Sequence, residues 1–137
     1  MRRELEDKLK QEFPILFQNL NIGNNGFHYS IYVYGIEHGD GWYDIIHELS
    51  KGIEEINKKK PDNPFICNQC KEKLAGLRFY LNQPITDEIS EMISTAFMKS
   101  IRTCELCGDV GDLKKVSDSY IQTLCDDCHK KEQARRR

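Results

Sequence analysis

Two cysteine pairs constrain this chain more than any other feature: Cys104-Glu105-Leu106-Cys107 and Cys125-Asp126-Asp127-Cys128. A Cys-x-x-Cys pair places two thiolates on one side of a tight turn. Gly108, directly after the first pair, can take the positive φ that such a knuckle often needs. The 17 residues between Cys107 and Cys125 suffice for two short strands that bring the knuckles together. The spacing predicts a zinc ribbon in which Cys104, Cys107, Cys125 and Cys128 hold Zn²⁺ tetrahedrally, at Zn–S distances of about 2.3 Å. Four protein ligands leave no position for a catalytic water, so the expected zinc is structural. Two disulfides are the competing expectation. The chain opens Met1-Arg2-Arg3-Glu4-Leu5-Glu6, with no apolar leader behind the positive charges. A reducing compartment favours thiolate–metal chemistry. Cys125-Asp126-Asp127-Cys128-His129 also fits the c-type haem attachment pattern, but that reading leaves Cys104 and Cys107 without a role.

At 137 residues the chain is one domain, or a small domain carrying a zinc module. The expected division is an α+β domain over 1–101, a zinc-ribbon module over 102–130 and a basic tail over 131–137. Formal charge is −2, and four thiolates around one Zn²⁺ add about two more negative charges. Broad duplex binding wants a strongly basic protein, so any nucleic-acid or nucleotide contact must be a local patch. No apolar run reaches membrane-spanning length, and no membrane partner is expected.

Along the chain, Leu5, Leu9 and Phe13 recur at four-residue steps over 2–13, predicting an amphipathic helix ended by Pro14. His28 to Tyr34, rich in aromatic and β-branched residues, predicts a strand. In Gly39-Asp40-Gly41-Trp42-Tyr43, Asp40 is the expected N-cap of a helix reaching about Lys58. Trp42, Ile45, Ile46, Leu49, Ile53 and Ile56 form its apolar face. His38 and His47 are expected on the surface or in hydrogen bonds. A second amphipathic helix should follow Thr86 as N-cap, with Ile89, Met92, Ile93, Ala96, Phe97 and Ile101 as its apolar face.

Between the two helices, the sequence from Phe65 to Leu81 predicts two strands around a tight turn at Ala75-Gly76. Leu77, Phe79 and Leu81 then share one face, with Arg78 and Tyr80 on the other. Lys71 and Lys73 share a face of the first strand. Where register permits, Lys71, Lys73, Arg78 and Tyr80 make one basic, aromatic surface. Cys67 and Cys70 look like a third knuckle, but two thiolates do not close a metal site, and they are expected to be free. The fold class is α+β: a small antiparallel sheet packed by two amphipathic helices, with a C-terminal zinc ribbon.

Three segments together resemble a family of small, mostly uncharacterised proteins of bacteriophages and prophages: Gly39-Asp40-Gly41-Trp42-Tyr43, Lys71-Glu72-Lys73-Leu74-Ala75-Gly76-Leu77-Arg78-Phe79-Tyr80, and Thr103-Cys104-Glu105-Leu106-Cys107-Gly108 with Thr123-Leu124-Cys125. The resemblance covers roughly 13–129 and implies an accessory protein of the bacterial host's cytoplasm, while supplying no activity. The family pattern usually reads Gly-Gly where this chain has Ala75-Gly76. The two knuckles also resemble the zinc scaffold of HNH endonucleases. Those enzymes need histidines between the knuckles as general base and metal ligands, and the run 109–122 contains none. The expectation is therefore a protein without enzymatic activity. It binds an anionic, nucleotide-type small molecule or short single strand through Lys71, Lys73, Arg78 and Tyr80. The alternatives are a module that docks on a host protein and, behind it, an HNH-like nuclease.

Overall fold

The computed structural model describes residues 1–18, 20 and 30–136. Arg3–Glu12 forms α1, which buries Leu9 and ends before Pro14. Ser30–Tyr34 forms a short helix, α2. This corrects the strand expected over His28–Tyr34, of which residues 28 and 29 lie outside the described residues. A strand would turn Ile31 and Val33 to the same face, yet Ile31 is buried while Val33 and Tyr34 are exposed. Tertiary packing here outweighs β-branched propensity. Gly35, at φ +70°, stops the helix, and its N–H donates to the Ile31 carbonyl at 2.9 Å.

Asp40–Trp42 makes a 3₁₀ turn that leads into α3, Tyr43–Lys59. Asp40 is not the cap of α3. Its carboxylate instead accepts from Arg2 N (2.8 Å) and Arg2 Nε (2.6 Å), capping the start of α1. The apolar stripe of α3 is buried through Ile45, Ile46, Leu49 and Ile53. Two polar residues on the same helix are buried because they serve backbone groups. Glu54 accepts from Ile15 N and Leu16 N at 3.0 and 2.9 Å. Asn57 clasps Phe65 through both its amide atoms.

Strands β1 (Cys67–Lys73) and β2 (Gly76–Leu81) pair antiparallel, with Cys70 opposite Phe79 and Lys71 opposite Arg78. Helix α4 (Asp87–Ser100) is capped by Thr86, whose hydroxyl accepts from Ile89 N. It returns along β2, where its Ser100 hydroxyl accepts from Leu77 N at 3.0 Å. A second hairpin, β3 (Asp112–Ser117) and β4 (Tyr120–Leu124), is followed by α5, Asp126–Arg135. The expected basic tail is therefore helical as far as Arg135, where Glu132 pairs with Arg135 and Arg136 at helical spacing. The main core joins α1, α3, α4 and the inner face of β1–β2 through Leu9, Phe17, Trp42, Ile46, Phe79 and Ile89. A small second core of Cys104, Val116 and Leu124 supports the C-terminal hairpin. The architecture is α+β with two small antiparallel sheets and a C-terminal four-cysteine cluster compatible with a zinc ribbon. Among the described residues, no helix is long and apolar enough to cross a membrane.

The β1–β2 turn sits one residue earlier than expected. Leu74 (φ +53°) and Ala75 (φ +67°) are its central residues, both left-handed as a type I′ turn requires. Gly76 is needed for a different reason: a Cβ there would lie 2.5 Å from Cε1 of Phe97 on α4. Leu74 is 69% exposed, so little burial offsets its left-handed backbone. Leu74→Asn should raise unfolding stability by about 0.5–1 kcal/mol, since asparagine tolerates this conformation better. Denaturant titration checks it; a loss of stability would show that Leu74 packs more than its exposure implies.

Candidate metal centre and basic sheet face

The four cysteine sulfurs converge within 4.8 Å of one another. Cys107 Sγ and Cys125 Sγ are 3.7 Å apart, far beyond a disulfide bond of about 2.05 Å. That separation matches the edge, about 3.8 Å, of a tetrahedron with metal–sulfur bonds of about 2.3 Å. All four are free thiols, with Cys104 buried and Cys107 exposed. In the first knuckle Gly108 adopts φ +87° and donates its N–H to the Cys104 carbonyl at 2.9 Å. In the second, Cys125 is the N-cap of α5, and its sulfur accepts from Cys128 N at 3.4 Å. Burial alone would raise the Cys104 thiol. Backbone hydrogen bonds from Cys125, Cys107 and Leu106 outweigh it and hold the pKa down to about 7. This donor set suits a soft, tetrahedral metal ion and offers no fifth position for chemistry.

The first knuckle lies directly on the Gly39-Asp40-Gly41-Trp42 segment. A Cβ on Gly41 would come within 2.1 Å of the Cys104 carbonyl oxygen and 2.6 Å of Gly108 N. Gly41 N donates to the Glu105 carbonyl at 2.8 Å, and Trp42 Nε1 to the Thr103 carbonyl at 2.8 Å. The buried Glu105 side chain accepts from Gly39 N (2.9 Å) and from Gln122 Nε2 (3.1 Å). Burial raises the Glu105 pKa despite these donors. The second hairpin meets the β1–β2 turn. Thr123 Oγ1 donates to the Ala75 carbonyl at 2.7 Å, and Tyr120 OH donates to Glu72 Oε1 at 3.0 Å. The other Glu72 oxygen accepts from Ala75 N at 2.8 Å. The joint residues Glu72, Glu105, Tyr120 and Thr123 carry no spacing signal in the sequence. Only the close-packed pair Gly39 and Gly41 hints at them.

The register unites the basic residues on the outer sheet face. Lys71 stands opposite Arg78, Tyr80 opposite Gln69, and Lys73 opposite Gly76. Cross-strand neighbours of this kind have Cβ atoms about 4.5–5.5 Å apart. Among the described residues, no carboxylate lies within ion-pair distance of Lys71, Lys73 or Arg78. Glu37, which bridges Lys71 in parallel register, stands beside it without an ion pair, and Glu72 faces the other way, engaged by Ala75 and Tyr120. The Arg78 guanidinium lies over the Phe97 ring, 5.2 Å from its centroid, and Tyr80 is 46% exposed.

The remaining sequence candidates lie elsewhere. A register shift between Cys67 and Gln69 turns both Cys67 and Cys70 into the core, where burial pushes their thiols up. His38 is buried, its Nδ1–H donating to the Gly39 carbonyl at 2.8 Å and its Nε2 3.5 Å from Cys70 Sγ. Burial lowers its pKa to about 4. His47 pairs with Glu12 at 2.7 Å, and His28 lies outside the described residues.

Purified under reducing conditions, the protein should carry one metal ion per chain, measured by elemental analysis. Cys107→Ser should lower that stoichiometry, whereas Cys67→Ser should leave it intact while weakening the core. Gly41→Ala should cost about 1–3 kcal/mol, because backbone on both sides meets the added methyl. A wild-type melting curve for Gly41→Ala would contradict the packing described. Comparison of the chain with protein-family models, with curated proteins and with solved structures finds no match, so the functional reading rests on the sites themselves.

Proposed function

We propose that this is a non-enzymatic, zinc-stabilised accessory protein, of the phage type it resembles, that captures an anionic nucleotide-type ligand on the outer face of β1–β2. The observation that carries the reading is three cations, Lys71, Lys73 and Arg78, on one sheet face with no carboxylate paired to them among the described residues. In a chain of formal charge −2, such a local excess is a directed feature rather than a general basicity. A forked guanidinium suits phosphate oxygens, and Tyr80 offers a ring for a base. The apolar cleft of about 200 Å³ between α3 and α4 lacks this chemistry, because its one cation, Lys99, is paired with Glu48 at 2.8 Å.

Zinc suits the four-thiolate set best among common ions, since soft sulfur ligands in tetrahedral array select it. Its role is to hold the ribbon against the sheet that presents the cations. Host-protein docking is the second reading, favoured by the exposed Leu74 on its left-handed turn and by the exposed Val110 and Leu113 of the ribbon. An HNH-type reaction gains no support from the geometry. His38 is enclosed in the core, and His47 is held by Glu12.

Arg78→Ala and Lys71→Ala should each weaken nucleotide binding at least tenfold, about 1.4 kcal/mol, with melting temperature nearly unchanged. Calorimetry with mono-, di- and cyclic nucleotides measures the effect. Binding no tighter than millimolar across that panel would overturn the nucleotide reading in favour of host-protein docking.

A further inference from the structure

We infer that the groove between β2 and α4 is the base pocket of this ligand face, and that it selects a single nucleotide over a polymer. The inference rests on the nucleotide reading and adds a second wall to it. The groove is open to solvent along one side and offers about 340 Å³, with Arg78 and Tyr80 on the strand side and Ser90, Ile93, Ser94 and Phe97 on the helix side. Pockets for small molecules span about 300–1,000 Å³, so this groove lies at the small end of the range and suits a single base.

Chain direction gives the groove two unlike ends. Ser100 bonds Leu77, and Phe97 stands against Gly76 and Arg78, so the C-terminal end of α4 lies at the start of β2. The phosphate end is therefore Arg78, with Lys71 directly across the hairpin. The other end gathers Tyr80, Ile85, Ser90 and Ile93. Ser90 and Ser94 are one helical turn apart and present hydroxyls to the same side. Neither hydroxyl has a hydrogen-bond partner among the described residues, so both are available to the polar edge of a base or sugar. The Arg78 guanidinium lies over the Phe97 ring, so Tyr80 is the open stacking ring among the described residues of the groove. Proteins that hold single strands without sequence preference stack successive bases on several aromatic rings. One ring beside one cation cluster suits one nucleotide.

The test is calorimetry on the full metal-loaded chain with the four ribonucleoside 5′-monophosphates, the parent nucleosides, ribose 5-phosphate and a short oligothymidylate. At least one mononucleotide should bind ten times more tightly than its nucleoside, than ribose 5-phosphate and, per site, than the oligomer. Ser94→Phe, which fills the groove from an exposed helix position, should weaken the mononucleotide at least tenfold and leave ribose 5-phosphate unchanged. The double change Ser90→Ala with Ser94→Ala alters only exposed hydroxyls. It should weaken the mononucleotide severalfold without shifting the melting temperature, keeping the test valid should Ser94→Phe misfold. Oligomer binding as tight as mononucleotide binding, with both serine variants unaffected, would overturn the base pocket while the nucleotide reading stands. Failure of every nucleotide and oligomer to bind would remove both.

Discussion

The structure depends on one close approach, the backbone of Gly41 against the backbone of the first cysteine knuckle. The space a methyl group would need at Gly41 is occupied by the Cys104 carbonyl and Gly108 N, so only glycine lets the two segments meet. The short distance permits the hydrogen bonds from Gly41, Gly39 and Trp42 to the Thr103–Glu105 segment. Those bonds satisfy buried groups of both partners at once, and an unpaired group in that position costs about 1–3 kcal/mol. The ribbon is thus seated on the main body rather than tethered to it.

The same joint reaches the proposed ligand face. Glu72 lies between Lys71 and Lys73 in sequence but turns to the opposite side of the strand, where Tyr120 and Ala75 occupy its two oxygens. Two consequences follow from that one side chain. The ribbon is fastened to the β1–β2 hairpin beside its left-handed turn, and the Glu72 carboxylate is withheld from the neighbouring lysines. Thr123 adds a second tie by holding the Ala75 carbonyl. The segments around Gly41, Ala75 and Cys104 therefore meet at one place in the fold.

How much was legible in the sequence followed from how local each determinant is. The knuckle spacing, the apolar stripe of α3 and the Thr86 cap are set by neighbours a few residues away, and the structure has the corresponding elements. The strand face shared by Lys71, Lys73, Arg78 and Tyr80 followed from period-two alternation, although register needed the structure. The failures were tertiary. Ser30–Tyr34 is helical, with Ile31 in the core while Val33 and Tyr34 stay exposed, and Asp40 caps α1 rather than α3 because Arg2 is folded against it. Cys67 and Cys70 share a face only through the irregularity between Cys67 and Gln69, which no spacing rule announces. The groove behind Arg78 and Tyr80 depends on where α4 returns, and a sequence read strand by strand carries no sign of it.

Hydrogen exchange before and after chelation tests most directly whether ribbon and body form one unit through this joint. Removing the metal should expose the amides of Cys104–Cys107 and β4 and, together with them, those of Gly39, Gly41 and Ala75, which lie outside the ribbon. The central amides of α3 should stay protected. Loss confined to the ribbon, with Gly39, Gly41 and Ala75 still protected, would contradict the joint and leave the ribbon an independent module.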